Sequence, residues 1–177
     1  PDIKFPEIIN SSFYQDSLKY INEDFKDNIG ELNKNFTYPT DHKEAKIWFE
    51  NFLDERFLEF GDYEDAIVKE FSVLNHSLIS PLLNSGLLTP GYVIQRILTF
   101  AKRKNIPINS NEGIIRQIIG WREFIRGIYV TKGSYERTRN FWNFKKEMPK
   151  SFYTGDTGIE PVDDCIKKVL NTGYLPV

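Results

Sequence analysis

Residues Ile114 to Val130 read IIRQIIGWREFIRGIYV, and the fold of the chain turns on this run. A helix advances about 100° per residue, so the side chains can be placed on a wheel. Ile114, Ile118, Trp121, Ile125 and Ile128 form one stripe, which Ile115, Ile119 and Tyr129 widen. Arg122 and Arg126 fall inside that apolar arc, and Arg116, Glu123 and Gly127 occupy the remaining sector. A helix apolar around most of its circumference belongs in the middle of a domain. Arginines placed there need anions, because an unpaired buried charge is costly. Two sources fit: acidic neighbours (or stems that snorkel out to water), and a bound phosphate or nucleic-acid backbone.

The rest of the composition narrows the setting. A chain of 177 residues with 40% apolar content can bury one core, and its 15% aromatic content suits a packed interior or a planar ligand. The single cysteine, Cys165, can form neither an internal disulfide nor, by itself, a structural zinc or iron–sulfur site. It points to a reducing compartment. No stretch approaches the roughly 20 apolar residues of a membrane span, and the N-terminus lacks a signal-peptide pattern. The expectation is a cytoplasmic protein without a membrane partner. The net charge of −2 hides a segregation. Residues 1–95 carry 8 Lys and Arg against 17 Asp and Glu, residues 96–150 carry 13 against 4, and residues 151–177 carry 2 against 4. A basic middle third is either a positive face for phosphates or nucleic acid, or the internal complement of the acidic part.

Outward from the central run, the pattern is helical throughout. Residues 1–38 are polar and mixed, with a helical pattern from Tyr14 to Phe25, and look like an arm leading into a body that begins at residue 39. Thr40 or Asp41 can cap a helix in which Ala45, Trp48, Phe49, Phe52, Arg56 and Phe60 recur at helical spacing, with Gly61 as its stop. A short helix is expected from Tyr63 to Phe71. In HSLISPLLNSGLLTP, Pro81 suits a first turn and Gly86 a C-terminal stop. Thr89-Pro90 opens a helix through Val93, Ile94, Ile97, Leu98 and Ala101, closed by the basic run at 102–104. The central helix is followed by an irregular stretch, KGSYERTRNFWNFKKEMPKSFYTGDTG, and a last helix from about Pro161 to Asn171. No strand pattern stands out, so the expected fold class is all-α.

Three segments together resemble the photolyase/cryptochrome superfamily at its C-terminal, helical FAD-binding domain. Asn75 to Gly86, NHSLISPLLNSG, is similar to the family's T-S-R-L-S-P-x-L-x-x-G segment, Gly120 to Arg126, GWREFIR, to its W-R-E-F helix, and Gly155 to Asp163, GDTGIEPVD, to its G-x-T-G-x-P-x-V-D segment. Their order and spacing are specific. The segments YPTDHKEAKIWFENFLDERFLEFGDYEDAI, LISPLLNSGLLTP and IRQIIGWREFIRGIYV narrow the resemblance to the bacterial photolyase-related branch, which includes (6-4) photolyases with an iron–sulfur cluster. The similarity covers roughly residues 36–174, and the arm fits the region joining the two domains of such proteins. It implies that residues 39–177 are the N-terminal part of the helical FAD-binding domain, with the antenna domain and the C-terminal half absent.

Site residues are implied by the same resemblance. Ser77 and Ser80, short hydroxyl donors beside a helix N-terminus, stand where the family holds the diphosphate and ribityl chain. Read as residues alone, they are helix caps rather than ligands, and the resemblance reverses that balance. His76 and Leu78 replace the family's Thr and Arg, and Ile79 takes the packing position of its Leu. Tyr63 resembles the tyrosine that touches the cofactor. Arg122 stands on the cofactor side, Gln117 lies on the face of Trp121, and Trp121 borders the substrate cavity, whereas read without the resemblance it is a core aromatic, as most tryptophans on such helices are. Phe152 takes the place of a tryptophan facing the lesion, where an aromatic can stack on a base. Arg126 is grouped with the DNA side, with a carboxylate as the alternative partner. In the third segment Gly155 and Gly158 permit a tight turn, and Asp156 or Thr157 can cap the helix beyond it.

Two departures shape the functional expectation. Pro161 aligns with the first cysteine ligand of the iron–sulfur branch, so no cluster is expected. After Thr172-Gly173-Tyr174 the chain reads Leu175-Pro176-Val177, where the family continues into the half that surrounds the isoalloxazine ring. The resemblance therefore implies a fragment of a light-driven DNA repair or blue-light-sensing flavoprotein. As an enzyme it would be a DNA photolyase, a carbon–carbon lyase. FAD binding is expected to be weak or lost and catalytic residues absent, damaged DNA is the implied partner, and an exposed half-cavity favours self-association. The reading from a different class is a non-enzymatic helical module that binds nucleic acid or a protein through the basic 96–150 segment.

Overall fold

The structure is a computed structural model that describes residues 3–7, 12–28, 38–71 and 73–172. It is all-α, as the periodicity predicts: the described residues hold no strand, and the only pairing of that kind is an isolated bridge between Val68 and Phe71. No helix among them is long and apolar enough to cross a membrane. They fall into two units, one built from residues 3–7 and 38–142, the other from residues 12–28 and 143–172.

The first long helix of the larger unit opens on a capping box. Asp41 Oδ1 accepts from the Glu44 amide at 2.8 Å, and the Glu44 carboxylate reaches back to the Thr40 amide at 3.5 Å. This reciprocal arrangement satisfies donors that a helix start leaves open. Helix α2 (His42–Glu55) then buries Ala45, Trp48, Phe49, Phe52 and Leu53, one face at helical spacing. (Helix α1, Ser12–Asp24, belongs to the smaller unit.) Thr89 Oγ1 caps α5 (Pro90–Lys104) at the Tyr92 amide, 3.3 Å away, and Asn105 ends it in the left-handed region. Val93, Ile97, Phe100 and Ala101 face the α2 aromatics. Each large side chain removed from water in this way contributes roughly 1.5–3 kcal/mol of transfer free energy. Across the edge of the core, Arg96 forms a two-pronged ion pair with Glu50, both bonds at 2.5 Å, tying α5 to α2.

The structure corrects three sequence expectations. Gly61 does not stop a helix. Helix α2 ends at Glu55, a 3₁₀ turn comes next at Phe57–Glu59, and Gly61 lies inside the short α3 (Phe60–Tyr63). Its role is close approach: a Cβ on Gly61 would stand 2.4 Å from the Ser110 backbone nitrogen. Buried Ser110 stitches the crossing, accepting from the Gly61 amide (2.8 Å) and donating to the Leu58 carbonyl (3.0 Å). Secondly, no helix spans Tyr63 to Phe71. Beyond Tyr63 the chain turns, and Ile67 is 80% exposed. A helix this short holds only against a surface that buries its apolar side, and none covers Ile67.

The third correction concerns the central run. It is helical without interruption from Ile108 to Thr138, but it is not one regular helix. Helix α6 (Ile108–Ile115) passes into a π-helical turn at Arg116–Gly120, and then into α7 (Trp121–Thr138). Ile114 and Ile118 are buried, whereas α7 contains no buried residue. Trp121, Phe124 and Ile125 are each more than half exposed, and Tyr129 is 74% exposed. A single wheel over residues 114–130 assumes one register. A π turn accommodates an extra residue and so rotates everything after it by about 100°.

Helix α4 (Ser80–Asn84) has Pro81 in its first turn and Gly86, at φ +80°, beyond its end, as the sequence suggests. In the smaller unit α1 carries the buried Tyr14. Helix α8 (Ser151–Thr154) ends at Gly155, and α9 spans Glu160–Thr172. The irregular stretch expected after the central helix is shorter than the sequence implies, because α7 continues to Thr138.

Candidate flavin-dinucleotide wall

The segment at 75–80 is an extended approach to α4 that makes one conspicuous backbone choice. Leu78 sits at φ +56°, in the left-handed region that a bulky residue rarely enters. Such a conformation persists only where the surroundings enforce it, and it is found preferentially at functional sites. Leu78 and Ile79 both pack on the core, Ile79 being 2% exposed, so what Ile79 can offer a ligand is its backbone. Ser77 is half-buried and Ser80 exposed. Neither hydroxyl caps α4, whose start has no side-chain hydrogen bond. Of the two readings of these serines, helix caps or ligand donors, the first does not describe the geometry.

His76, in the same segment, is half-buried, and its imidazole is held below its ordinary range chiefly by that burial. The Glu64 carbonyl and the Asp65 charge act in the opposite direction. Both ring nitrogens are buried without a hydrogen-bond partner among the described residues, as is Glu64 Oε2. The other oxygen of Glu64 pairs with Arg116 in the π turn at 3.2 Å, and Arg116 also bonds Glu112 at 3.0 Å. Those carboxylates raise the Arg116 guanidinium above its usual value, the Glu112 hydrogen bond most of all.

A hydrogen bond joins the second segment to the first: Arg122 Nη2 donates to Asn84 Oδ1 at 3.4 Å, linking the start of α7 to the end of α4. The bond is long, and the rest of the guanidinium stays available to an anion. Arg126 is different. It is exposed and pairs with Glu123 one turn back at 3.2 Å. The buried-arginine argument therefore fails for both residues, since α7 leaves them in or near water. Gln117 is exposed in the π turn, Trp121 is exposed and edge-on to Phe124 (6.0 Å between ring centres), and Tyr63 is 50% exposed at the end of α3. The π turn, itself a geometry frequent at functional sites, thus carries Gln117 and delivers Trp121 and Arg122.

The arginine that is buried is one that spacing cannot distinguish. Arg56, 4% exposed, lies over the rings of Phe5 and Phe52, and burial lowers its pKa against the opposing effect of Glu55. In the sequence it is one member of the helical face of α2. One of the rings that lie over it is Phe5, about fifty positions away, which no local pattern connects to it.

In the smaller unit Phe152 is 45% exposed on α8. The turn after it is organised by a residue that the sequence does not single out. Asp163 Oδ1 accepts from the amide (2.7 Å) and hydroxyl (2.6 Å) of Thr157, and Oδ2 accepts from the Gly158 amide at 3.0 Å. These bonds, led by the Thr157 hydroxyl, hold the carboxyl below its ordinary range. Thr157 Oγ1 in turn accepts from the Ile159 amide. Gly155 and Gly158 both have positive φ, and a Cβ at Gly155 would press on Lys167 Cγ (3.1 Å) and the Asp163 carbonyl (3.2 Å). An acidic residue in the first turn of α9 is the available signal.

No family model matches the chain. Among curated proteins, a (6-4) photolyase of Agrobacterium fabrum is 31% identical over 177 residues, covering 98% of this chain and 35% of that protein. An uncharacterised protein of Acanthamoeba polyphaga mimivirus is 40% identical over 114 residues, 63% of this chain and 85% of the viral protein. A chloroplastic/mitochondrial cryptochrome DASH of Oryza sativa subsp. japonica is 26% identical over 103 residues, 54% of this chain and 17% of its own length. The chain spans about a third of the length of the (6-4) photolyase it matches.

Proposed function

We propose that this chain, a relative of photolyases and cryptochromes, forms one wall of a flavin-dinucleotide pocket in a light-driven repair or blue-light-sensing flavoprotein of the (6-4) photolyase-like branch. The observation that carries this reading is the Arg122–Asn84 contact, which draws together the two segments that sequence alone could only align. The residues present fit the cofactor. The start of α4 has amides that no side chain caps, Ser77 and Ser80 add hydroxyls, and Arg122 adds a cation, a donor set suited to a diphosphate. Tyr63 and Gln117 present further polar groups, and the left-handed Leu78 fixes the backbone between Ser77 and Ile79.

When bound, FAD supplies the light-absorbing group and the electron that repairs a flipped pyrimidine lesion or starts a signal. The contribution of the chain is to bind and orient. Arg122 neutralises phosphate charge, and Trp121 offers an exposed aromatic face toward the substrate side, with Arg126 toward DNA. Phe152 offers a second aromatic surface on its own unit.

The test is flavin retention. Mixed with FAD and passed through a desalting column, the chain is expected to keep flavin weakly. In a full-length relative, Arg122→Ala is expected to lower retention more than Arg126→Ala. Equal occupancy in the two variants overturns the assignment of Arg122.

A second reading has its own observation. Helix α7 alone interleaves Arg122, Arg126, Lys132 and Arg137 with exposed Trp121, Phe124, Tyr129 and Tyr135. Cations and aromatics in alternation suit a nucleic-acid backbone and its bases. A mobility shift of a single-stranded probe that weakens steeply between about 50 and 200 mM salt, as expected when several phosphates are neutralised, supports this reading. Concentration-dependent dimerisation without any shift points instead to self-association.

A further inference from the structure

Segment 3–7 lies on α2, and what it covers is Arg56. Phe5 stacks on Trp48 with ring centres 5.2 Å apart and planes 12° from parallel, and the Arg56 guanidinium lies 5.4 Å from the centre of the same Phe5 ring. One side chain connects the segment to the arginine. Asn51 donates from Nδ2 to the Lys4 carbonyl at 3.1 Å and accepts from Arg56 Nη1 at 3.2 Å. The arginine then reaches across to the candidate flavin loop, where its Nε donates to the His76 carbonyl at 3.3 Å, two residues before the left-handed Leu78.

The energetics of this chain of contacts are unbalanced. A guanidinium has five N–H donors and is costly to bury. Arg56 is 4% exposed, no carboxylate among the described residues pairs with it, and its Nη2 is buried without an acceptor. Two aromatic rings and two hydrogen bonds compensate only in part. Lifting segment 3–7 returns the cation to water, so the covered arrangement is held by Phe5 and Asn51 against a pull toward solvent. When Arg56 swings out, the His76 carbonyl loses its donor, and so does the backbone that enforces Leu78.

We propose that Asn51 and Arg56 form a latch through which docking of segment 3–7 sets the conformation of the 75–79 loop, with Arg56 as the positioning residue. The inference rests on the flavin reading for what the loop binds, but the latch itself is a property of the chain without cofactor. Segment 3–7 thereby gains control over the readiness of the loop for a diphosphate.

Three variants of the full chain test it, read by amide hydrogen exchange of residues 76–79 and by the indole N–H resonance of Trp48. Arg56→Met, which keeps the bulk and removes the donors, is expected to raise exchange in the loop about tenfold while α5 and α6 stay protected. Phe5→Ala is expected to shift the Trp48 signal and to raise loop exchange about threefold. Asn51→Asp removes the donor to Lys4 but gives Arg56 an ionic partner. It is expected to shift Trp48 as Phe5→Ala does, yet to leave the loop protected as in wild type. Exchange that rises equally across α2, α5 and the loop, or a loop released by Asn51→Asp as fully as by Phe5→Ala, overturns the latch. FAD affinity separates the two claims. If Arg122→Ala and Arg126→Ala retain flavin equally in a full-length relative, the flavin reading fails, and the latch is judged by exchange alone. If flavin binds with equal affinity to wild type and to a Phe5→Ala variant whose loop is loosened, the proposed control of the site is overturned.

Discussion

Helix α6 and helix α7 belong to one unbroken helical run, and they meet opposite fates. Ile114 in α6 and Ile118 in the π turn are sealed in the core that also holds the aromatics of α2 and α5, while seven residues beyond Ile118 the isoleucine at 125 is 56% exposed. Both halves carry isoleucines at helical spacing, and a single wheel drawn over 114–130 does not separate them. Three-dimensional supply makes the difference. Helix α6 crosses α3 at the contact of Gly61 with Ser110, whereas α7 leaves that neighbourhood through the π turn at Arg116–Gly120. Apolar periodicity reports that a face is available for burial, and the tertiary structure decides whether anything buries it.

The sharpest way to break this contrast is at the crossing. In Gly61→Ala the new methyl would stand 2.4 Å from Ser110 N and 2.5 Å from Asn109 C, both backbone atoms that no rotamer change can move. The helices must separate, and we expect a loss of about 3 kcal/mol or more in urea unfolding. A loss below about 1 kcal/mol would mean that the approach is looser than the geometry requires. Next in size is Ile118→Ala, which empties a 5% exposed site within the π turn and is expected to cost about 2–4 kcal/mol.

A smaller effect belongs to the loop beside the core. The His76 imidazole is depressed below 6.5 by burial, so the unfolded chain takes up this proton before the folded one does. Its contribution to stability is complete above about pH 6.5 and is lost as the pH falls from there toward the folded value. The unfolding midpoint should therefore drop between about pH 7.5 and 5.5 more in wild type than in His76→Gln. Equal drops in the two would assign the whole effect to carboxylates.

Features built from neighbours in sequence are readable in advance. The Asp41 and Thr89 caps, the proline in the first turn of α4, Gly86 at its end and the buried face of α2 each depend on residues within a few positions of one another. Features that depend on distant partners are not. Gly61 looks like a helix stop until Ser110, 49 residues on, is brought against it. Arg56 looks like one more position on the face of α2 until segment 3–7 covers it. Asp163 looks like an ordinary first-turn acid until Thr157 and Gly158 turn their amides toward it. The same limit applies to the candidate site. Its residues can be named by likeness to a motif, but the Arg122–Asn84 contact and the strain at Leu78 have no sequence signature.

The smallest expected effect is also the most informative about α7. Ile125→Ala removes three carbons from a side chain that water already reaches, so its stability should lie within about 0.5 kcal/mol of wild type. Trp121→Ala should behave likewise, because its contact with Phe124 is exposed on both sides. Set beside the cost of Ile118→Ala, this result would establish that the apolar stripe changes role at the π turn, from holding the unit together to presenting a surface. The two readings of that surface then separate without interference from unfolding. If Trp121→Ala weakens flavin or nucleic-acid binding at unchanged stability, the exposed aromatic is there for a ligand. If it leaves both unchanged and abolishes dimerisation instead, the stripe is an interface. A loss of about 2 kcal/mol or more at Ile125 would erase the distinction between the halves, since it would show α7 to be covered in solution by the chain itself.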